Sequence, residues 1–237
     1  MSGAAVFDLD NTLVRGSFLF HFGAGLVRTG VLHPRHLLPF ALAECRYARR
    51  REEQAGMPER IARCTLGLAR GRQQQHLADL ALAFANRSFD RFAIPGVADL
   101  AQRIRRSGMP VFIATASPQE LAQAVVTRLG LTGAIGTQGE VVDGRYTGRL
   151  SAPIAHGAMK AERVAAVLHA HGIDLRETWA FSDSVNDLPL LTLVGHPIAV
   201  KPDPHLQRIA GQNGWGILMD DAGDAGALQC FTAPVPG

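Results

Sequence analysis

The stretch Ala4-Ala5-Val6-Phe7-Asp8-Leu9-Asp10-Asn11-Thr12-Leu13 decides how the rest of the chain is read. Four apolar residues run unbroken into an aspartate. This is the pattern of a buried parallel strand, apolar on both faces, whose carboxyl end turns polar. Two later segments repeat it: Val111-Phe112-Ile113-Ala114 stops at Thr115, and Trp179-Ala180-Phe181 stops at Ser182-Asp183. Between them, Val97, Leu100, Ala101 and Ile104 have helical spacing that ends near Gly108, and Leu121 to Leu129 ends at Gly130. Pro197 to Val200, Leu206 to Ala210 and Gly216 to Leu218 continue the alternation. The expected fold is therefore α/β: a Rossmann-like, doubly wound, mostly parallel sheet with helices on both faces.

Two segments depart from this rhythm. From Gly16 to about Ile94 no apolar run reads as a strand, whereas Leu37 to Tyr47, Glu59 to Arg70 and Gln74 to Phe84 read as helices. Phe18 to Val27 is shorter than the ~20 residues a spanning helix needs and is read as a buried helix. This predicts a helical insertion, residues 16–94, in a core made of 1–15 and 95–237. The second departure is Glu140 to Thr147, where Asp143-Gly144 between strand-like residues signals a hairpin hanging off the sheet edge.

At 237 residues the chain can bury a full core, and with 47% apolar residues and no biased tract it excludes disordered, collagen-like and coiled-coil classes. The net charge of +3 is spread along the chain apart from Arg46, Arg49, Arg50, Arg51 and Arg103, Arg105, Arg106, read as solvated helix faces, so no nucleic-acid partner is expected. Cys45, Cys64 and Cys230 are widely spaced, which argues against a disulfide framework or zinc site and for packing residues in a reducing compartment. Asp8 and Asp10 precede any basic or long apolar run that could form a secretory signal, so the expected location is cytoplasmic, without stable membrane insertion.

An open parallel sheet gathers ligands at the carboxyl ends of its strands, so Asp8, Asp10, Thr115 and Asp183 are expected to converge. Phosphoryl transfer needs an attacking oxygen, a proton donor for the leaving alcohol, a cation against the phosphoryl charge and hydrogen-bond donors for its oxygens. Each role has a candidate among these residues.

Asp8-Leu9-Asp10-Asn11-Thr12 resembles the DxDxT signature of the haloacid dehalogenase superfamily, and Ser182-Asp183-Ser184-Val185-Asn186-Asp187 resembles its GDSxxD motif, with serine where glycine is commoner. Thr115 and Lys160 are similar to its second and third motifs. The resemblance is closest to the phosphoserine-phosphatase-like branch, whose helical C1-type cap is inserted after the first motif, and Thr147 to Leu150 and Gly195 to Pro204 also look like that branch. It implies a magnesium-dependent phosphomonoesterase acting on a small phosphorylated metabolite. Asp8 would be the nucleophile that forms an aspartyl phosphate, and Asp10 the general acid and base. Thr115 and Lys160 would bind phosphate. Asp8, Asp10 through its carbonyl, and Asp183 would hold Mg2+, with Asp187 contributing directly or through water. A phosphotransferase or mutase, a lysophospholipid-type phosphatase and a silent binding protein are the alternatives.

Substrate choice falls to the insertion. True phosphoserine phosphatases carry a glutamate for the substrate amine where this chain has Ser17, so phosphoserine itself is not expected to be favoured. Arg60 or Arg63 would meet a carboxylate or second phosphate, against a plain reading as surface arginines. Phe18, Phe20 and Phe22 are read as packing residues, with an apolar substrate pocket as the alternative.

Overall fold

The computed structural model describes residues 3–38, 41 and 56–219. Strand β1 (Ala5–Phe7) lies between β2 (Val111–Pro118) and β6 (Trp179–Ser182), in a six-stranded parallel sheet of order β3-β2-β1-β6-β7-β8. Here β3 is Gly133–Thr137, β7 is His196–Val200 and β8 is Gly216–Leu218. The chain winds outward from β1 in both directions, so the order reverses at β1, and a crevice opens there at the strands' carboxyl ends.

Alternation along the strands divides the core into two layers. Ala5, Phe7, Val111, Ile113 and Phe181 face one layer; Ala4, Val6, Phe112, Ala114 and Ala180 face the other. The first layer packs against α4 (Pro95–Arg106) and α5 (Gln119–Leu129), and the Phe7 and Phe181 rings stack with centroids 4.1 Å apart. The second packs against α6 (Gly157–Ala170), the short α7 (Leu188–Leu191) and α8 (Pro204–Asn213). Burial of the larger of these side chains (Val, Ile, Phe, Leu), each contributing roughly 1.5–3 kcal/mol, drives the layering. The doubly wound α/β arrangement agrees with the sequence.

Among the described residues between β1 and α4 there are α1 (Phe18–Arg28), a 3-10 turn (Pro34–Leu37), α2 (Met57–Ala69) and α3 (Gln74–Phe92), and no strand of the main sheet. Most of the helix expected over Leu37 to Tyr47, with Arg46, Arg49, Arg50, Arg51 and Cys45, lies outside the described residues, as does Cys230. Helix α1 is less buried than its composition predicts: only Phe18 is fully enclosed, against Phe84 and Phe89 of α3. The two connections to the sheet run side by side, with Val14 bridged to Ala93, Arg15 N–H donating to the Phe92 carbonyl and Ile94 N–H to that of Leu13, each at 2.8 Å.

The hairpin of β4 (Gly139–Val142) and β5 (Arg145–Leu150) turns at Asp143 and Gly144, both at positive φ, as a two-residue type I′ turn requires. It is a separate sheet rather than an extension of the main edge. Its outer strand is hydrogen bonded to the α2–α3 connection through Gly71 N–H to the Tyr146 carbonyl (2.8 Å), Tyr146 N–H to that of Arg72 (3.0 Å) and Gln74 N–H to that of Gly144 (2.9 Å). Those bonds satisfy a strand edge that would otherwise be open. Cys64 is exposed on α2, contrary to the packing role expected for it. No helix among the described residues is long and apolar enough to cross a membrane.

Candidate active site

Asp8 follows β1, and its N–H donates to the Phe181 carbonyl of β6 at 2.9 Å, which fixes it beside Asp183 at the end of that neighbouring strand. Thr115 sits on β2, on the other side of β1. The sequence suggested that this strand stops at Ala114, but pairing of Pro118 with Thr137 across a register shift carries it to Pro118. Lys160 lies in the first turn of α6 and Asp187 ends a 3-10 turn, Val185–Asp187. Asp8, Asp10, Thr115, Lys160, Asp183 and Asp187 thus share one cavity of about 250 Å3, with Ser17 on its wall. Arg60 and Arg63 are exposed on α2 and do not line it.

Lys160 is the only buried cationic side chain among the described residues. Its ammonium donates to Asp8 and to Asp187, both at 2.8 Å. Burial opposes its charge, but Asp187 and Asp8 outweigh burial and push its pKa above the ordinary lysine value. Burial pushes Asp8 up to about 6: Lys160 pulls it down, Asp187 pushes it further up, and desolvation dominates. One ammonium therefore serves two buried carboxylates without fully compensating both.

Asp10 is held differently. One carboxylate oxygen accepts from the Phe18 N–H at 2.7 Å and the other from the Ser117 hydroxyl at 3.1 Å. The turn that follows places Asn11 at φ 60, a left-handed conformation that asparagine tolerates, and its side chain accepts from Gly16 N–H at 3.0 Å. Ser17 caps α1, its hydroxyl accepting from Phe20 N–H at 3.3 Å.

Further residues support the carboxylates, two of them at motif positions and two that the sequence does not single out. Ser182, where glycine is commoner in the motif, donates its hydroxyl to Asp187 at 2.7 Å, so the departure grips a carboxylate as well as shaping the turn. Thr12 donates to Asp183 at 3.3 Å. Buried Asp203 accepts from Val185 N–H at 2.6 Å, and its own N–H donates to the Asp183 carbonyl at 2.8 Å, tying down the loop between Asp183 and Asp187. Ser117, two residues beyond Thr115, and Asp203, opening α8, carried no signal that separates them from ordinary turn and capping residues.

Asp8, Asp10 and Asp183 line the same cavity, and their carboxylate and main-chain oxygens are the hard donors that could hold a cation there. Among the described residues no three acidic, histidine or cysteine side chains surround one point. A cation here would bind through oxygen and take part of its coordination from water, which suits a small divalent ion better than zinc.

A family model described as haloacid dehalogenase-like hydrolase matches residues 5–192. A phosphoserine phosphatase of Mycobacterium tuberculosis is 38% identical over 217 residues, covering 92% of this chain and 70% of that protein. A histidinol-phosphatase of Neisseria meningitidis is 31% identical over 234 residues, 92% of this chain and 99% of that protein. A solved structure from Bordetella pertussis, described as a protein with unknown function, aligns with TM-score 0.77 and 29% identity over 92% of this chain and 98% of its own. Motifs, sheet order and relatives agree: the chain belongs to the haloacid dehalogenase-like hydrolase family.

Proposed function

We propose that the protein is a magnesium-dependent phosphomonoesterase that hydrolyses a small phosphate ester through a phosphorylated Asp8. The observation that carries this reading is the convergence of Asp8, Asp10, Thr115, Lys160 and Asp183 on one cavity at the switch point of the sheet. The relatives named as phosphoserine phosphatase and histidinol-phosphatase support the reaction class.

In this mechanism a carboxylate oxygen of Asp8 attacks phosphorus, forming a P–O bond to Asp8 as the bond to the leaving oxygen breaks. Asp10 donates its proton to that oxygen, releasing the alcohol. Asp10, now a carboxylate, takes a proton from water as the water attacks phosphorus, and Asp8 and inorganic phosphate are released. The Thr115 hydroxyl and the adjacent backbone N–H hold phosphoryl oxygens, and Lys160 faces the developing charge while keeping Asp8 in place. Mg2+ held by Asp8, the Asp10 carbonyl and Asp183, with Asp187 in support, would neutralise phosphoryl charge and allow Asp8 to be ionised at neutral pH.

Residues 16–94 act as a cap on a core of 1–15 and 95–237. The paired connections at Val14 and Ala93 are its hinge, and closure excludes water from the cavity. Phosphate release from p-nitrophenyl phosphate with Mg2+, with EDTA and with Ca2+ tests the reading. Turnover is expected only with Mg2+, with inhibition by the larger and more loosely coordinated calcium. Full turnover in EDTA would refute the metal assignment.

A further inference from the structure

The cavity extends from the carboxylates toward α1, α2 and α3, and there its chemistry changes. Phe20, Phe22, Ile61, Leu66, Leu77 and Ala81 form its far wall. Among the described residues, those helices place only two hydroxyls on it, Ser17 and Thr65, and no charged side chain. Both hydroxyls are engaged by their own helices: Ser17 accepts from Phe20 N–H, and Thr65 donates to the Ile61 carbonyl at 2.9 Å.

Among the described residues, the remaining charged group at this end is Glu120 of α5. It accepts from the Gln74 amide at 2.9 Å and is hydrogen bonded to the Tyr146 hydroxyl, whose pKa burial and Glu120 together raise. Glu120 therefore links α3, α5 and the hairpin at the cavity's edge. An ammonium entering this space would lose its hydration, and the one carboxylate at this end already takes the Gln74 amide and the Tyr146 hydroxyl. An apolar group would lose nothing and would bury its surface.

We propose that this end of the cavity is a subsite for an uncharged, apolar leaving group, so that the preferred substrates are phosphate monoesters of medium-length alkyl or arylalkyl alcohols. The inference rests on the phosphatase reading and deepens it. A space of about 250 Å3 is of the size that takes a phosphoryl group with a short chain or one ring.

The test is kcat/KM for ethyl, butyl, hexyl and 2-phenylethyl phosphates beside phosphoethanolamine, l-phosphoserine and p-nitrophenyl phosphate. Primary alcohols share nearly the same leaving-group chemistry, so a trend along the series reports binding in the subsite. Each fully buried methylene raises kcat/KM by up to about fourfold, and hexyl phosphate should exceed ethyl phosphate by at least about tenfold. The phenylethyl ester separates the two sources of apolar surface: a ring fits if it matches or exceeds butyl, and an alkyl chain alone is preferred if it falls below. Leu66→Ala and Ile61→Ala should each reduce the hexyl-to-ethyl ratio at least about threefold. A series flat within about twofold, with p-nitrophenyl phosphate still turned over, overturns the subsite but not the phosphatase reading. Amine esters that outperform butyl phosphate, with the preference lost in Glu120→Gln, overturn it in favour of Glu120 as an amine site. Loss of turnover on every ester, p-nitrophenyl phosphate included, overturns both readings.

Discussion

The carboxylate of Asp10 accepts a 2.7 Å hydrogen bond from the N–H of Phe18, the first residue of α1, and a second from the Ser117 hydroxyl. The proposed acid and base is thereby attached both to the sheet and to the segment proposed to move. Asp10→Asn keeps one acceptor for Phe18 but cannot donate or accept the proton of the reaction. Its kcat/KM should fall by roughly 10²–10⁴ on an alkyl phosphate and much less on p-nitrophenyl phosphate, whose leaving group needs little protonation. Equal losses on the two substrates would contradict the acid role.

Asp8 links stability to pH. Its pKa in the folded chain, pushed up to about 6 by burial, exceeds the ordinary value of 3.8, so between these values the folded state holds a proton that the unfolded chain has released. This contribution is fully present below about pH 4 and lost as pH rises through about 6. Asp8→Asn removes the buried charge. In EDTA the variant should be more stable than wild type above pH 6, by on the order of 2–3 kcal/mol, with the difference vanishing near pH 4. Denaturant melts at both pH values check this, and a variant less stable than wild type at pH 7.5 would contradict it.

Lys160 contacts Asp8 and Asp187 from within 2.8 Å of each. Lys160→Met leaves two buried carboxylates facing each other and should cost about 3–5 kcal/mol at neutral pH, part of it recovered on acidification. Urea unfolding at pH 7.5 and pH 5 measures both quantities. A loss independent of pH would mean that packing, not charge, is what Lys160 provides.

These three residues show which features the sequence made legible. Asp8 and Asp183 stand where apolar strands stop, and Thr115 where the apolar run of β2 ends inside a longer strand, a pattern set by local burial and therefore readable without the fold. Lys160 was placed by resemblance, since one lysine at a helix start has no local signature. The Phe18 N–H on Asp10 and the Ser117 hydroxyl were not legible, because a backbone donor has no residue code and Ser117 is set by a strand that runs past Ala114 through pairing with β3. The hairpin turn was readable at Asp143-Gly144. Its docking on the α2–α3 connection was not, because that depends on long-range pairing. The apolar character of Phe20 and Phe22 was visible; whether it served packing or a cavity required the arrangement of α2, and Phe18 went to the core while the other two reached the cavity.

Ser17 occupies the N-cap of α1, and its hydroxyl is committed to Phe20 N–H. Ser17→Ala should cost about 1 kcal/mol of stability. l-Phosphoserine should be no better a substrate than other small monoesters, as Ser17 offers its amine a hydroxyl in place of a carboxylate. A preference for phosphoserine above about tenfold, equivalent to about 1.4 kcal/mol of discrimination, would show that another group binds the amine.

The phosphorylated Asp8 is most directly tested by acid-quenching the enzyme during turnover with Mg2+ and an excess of acetyl phosphate, then digesting it and weighing the peptides. The peptide that contains Asp8 should gain the mass of one phosphoryl group, in a hydroxylamine-sensitive linkage, and the gain should be absent in Asp8→Asn and in EDTA. Rapid turnover with no phosphoryl group on that peptide at any quench time, or a group that persists in Asp8→Asn, would contradict the account.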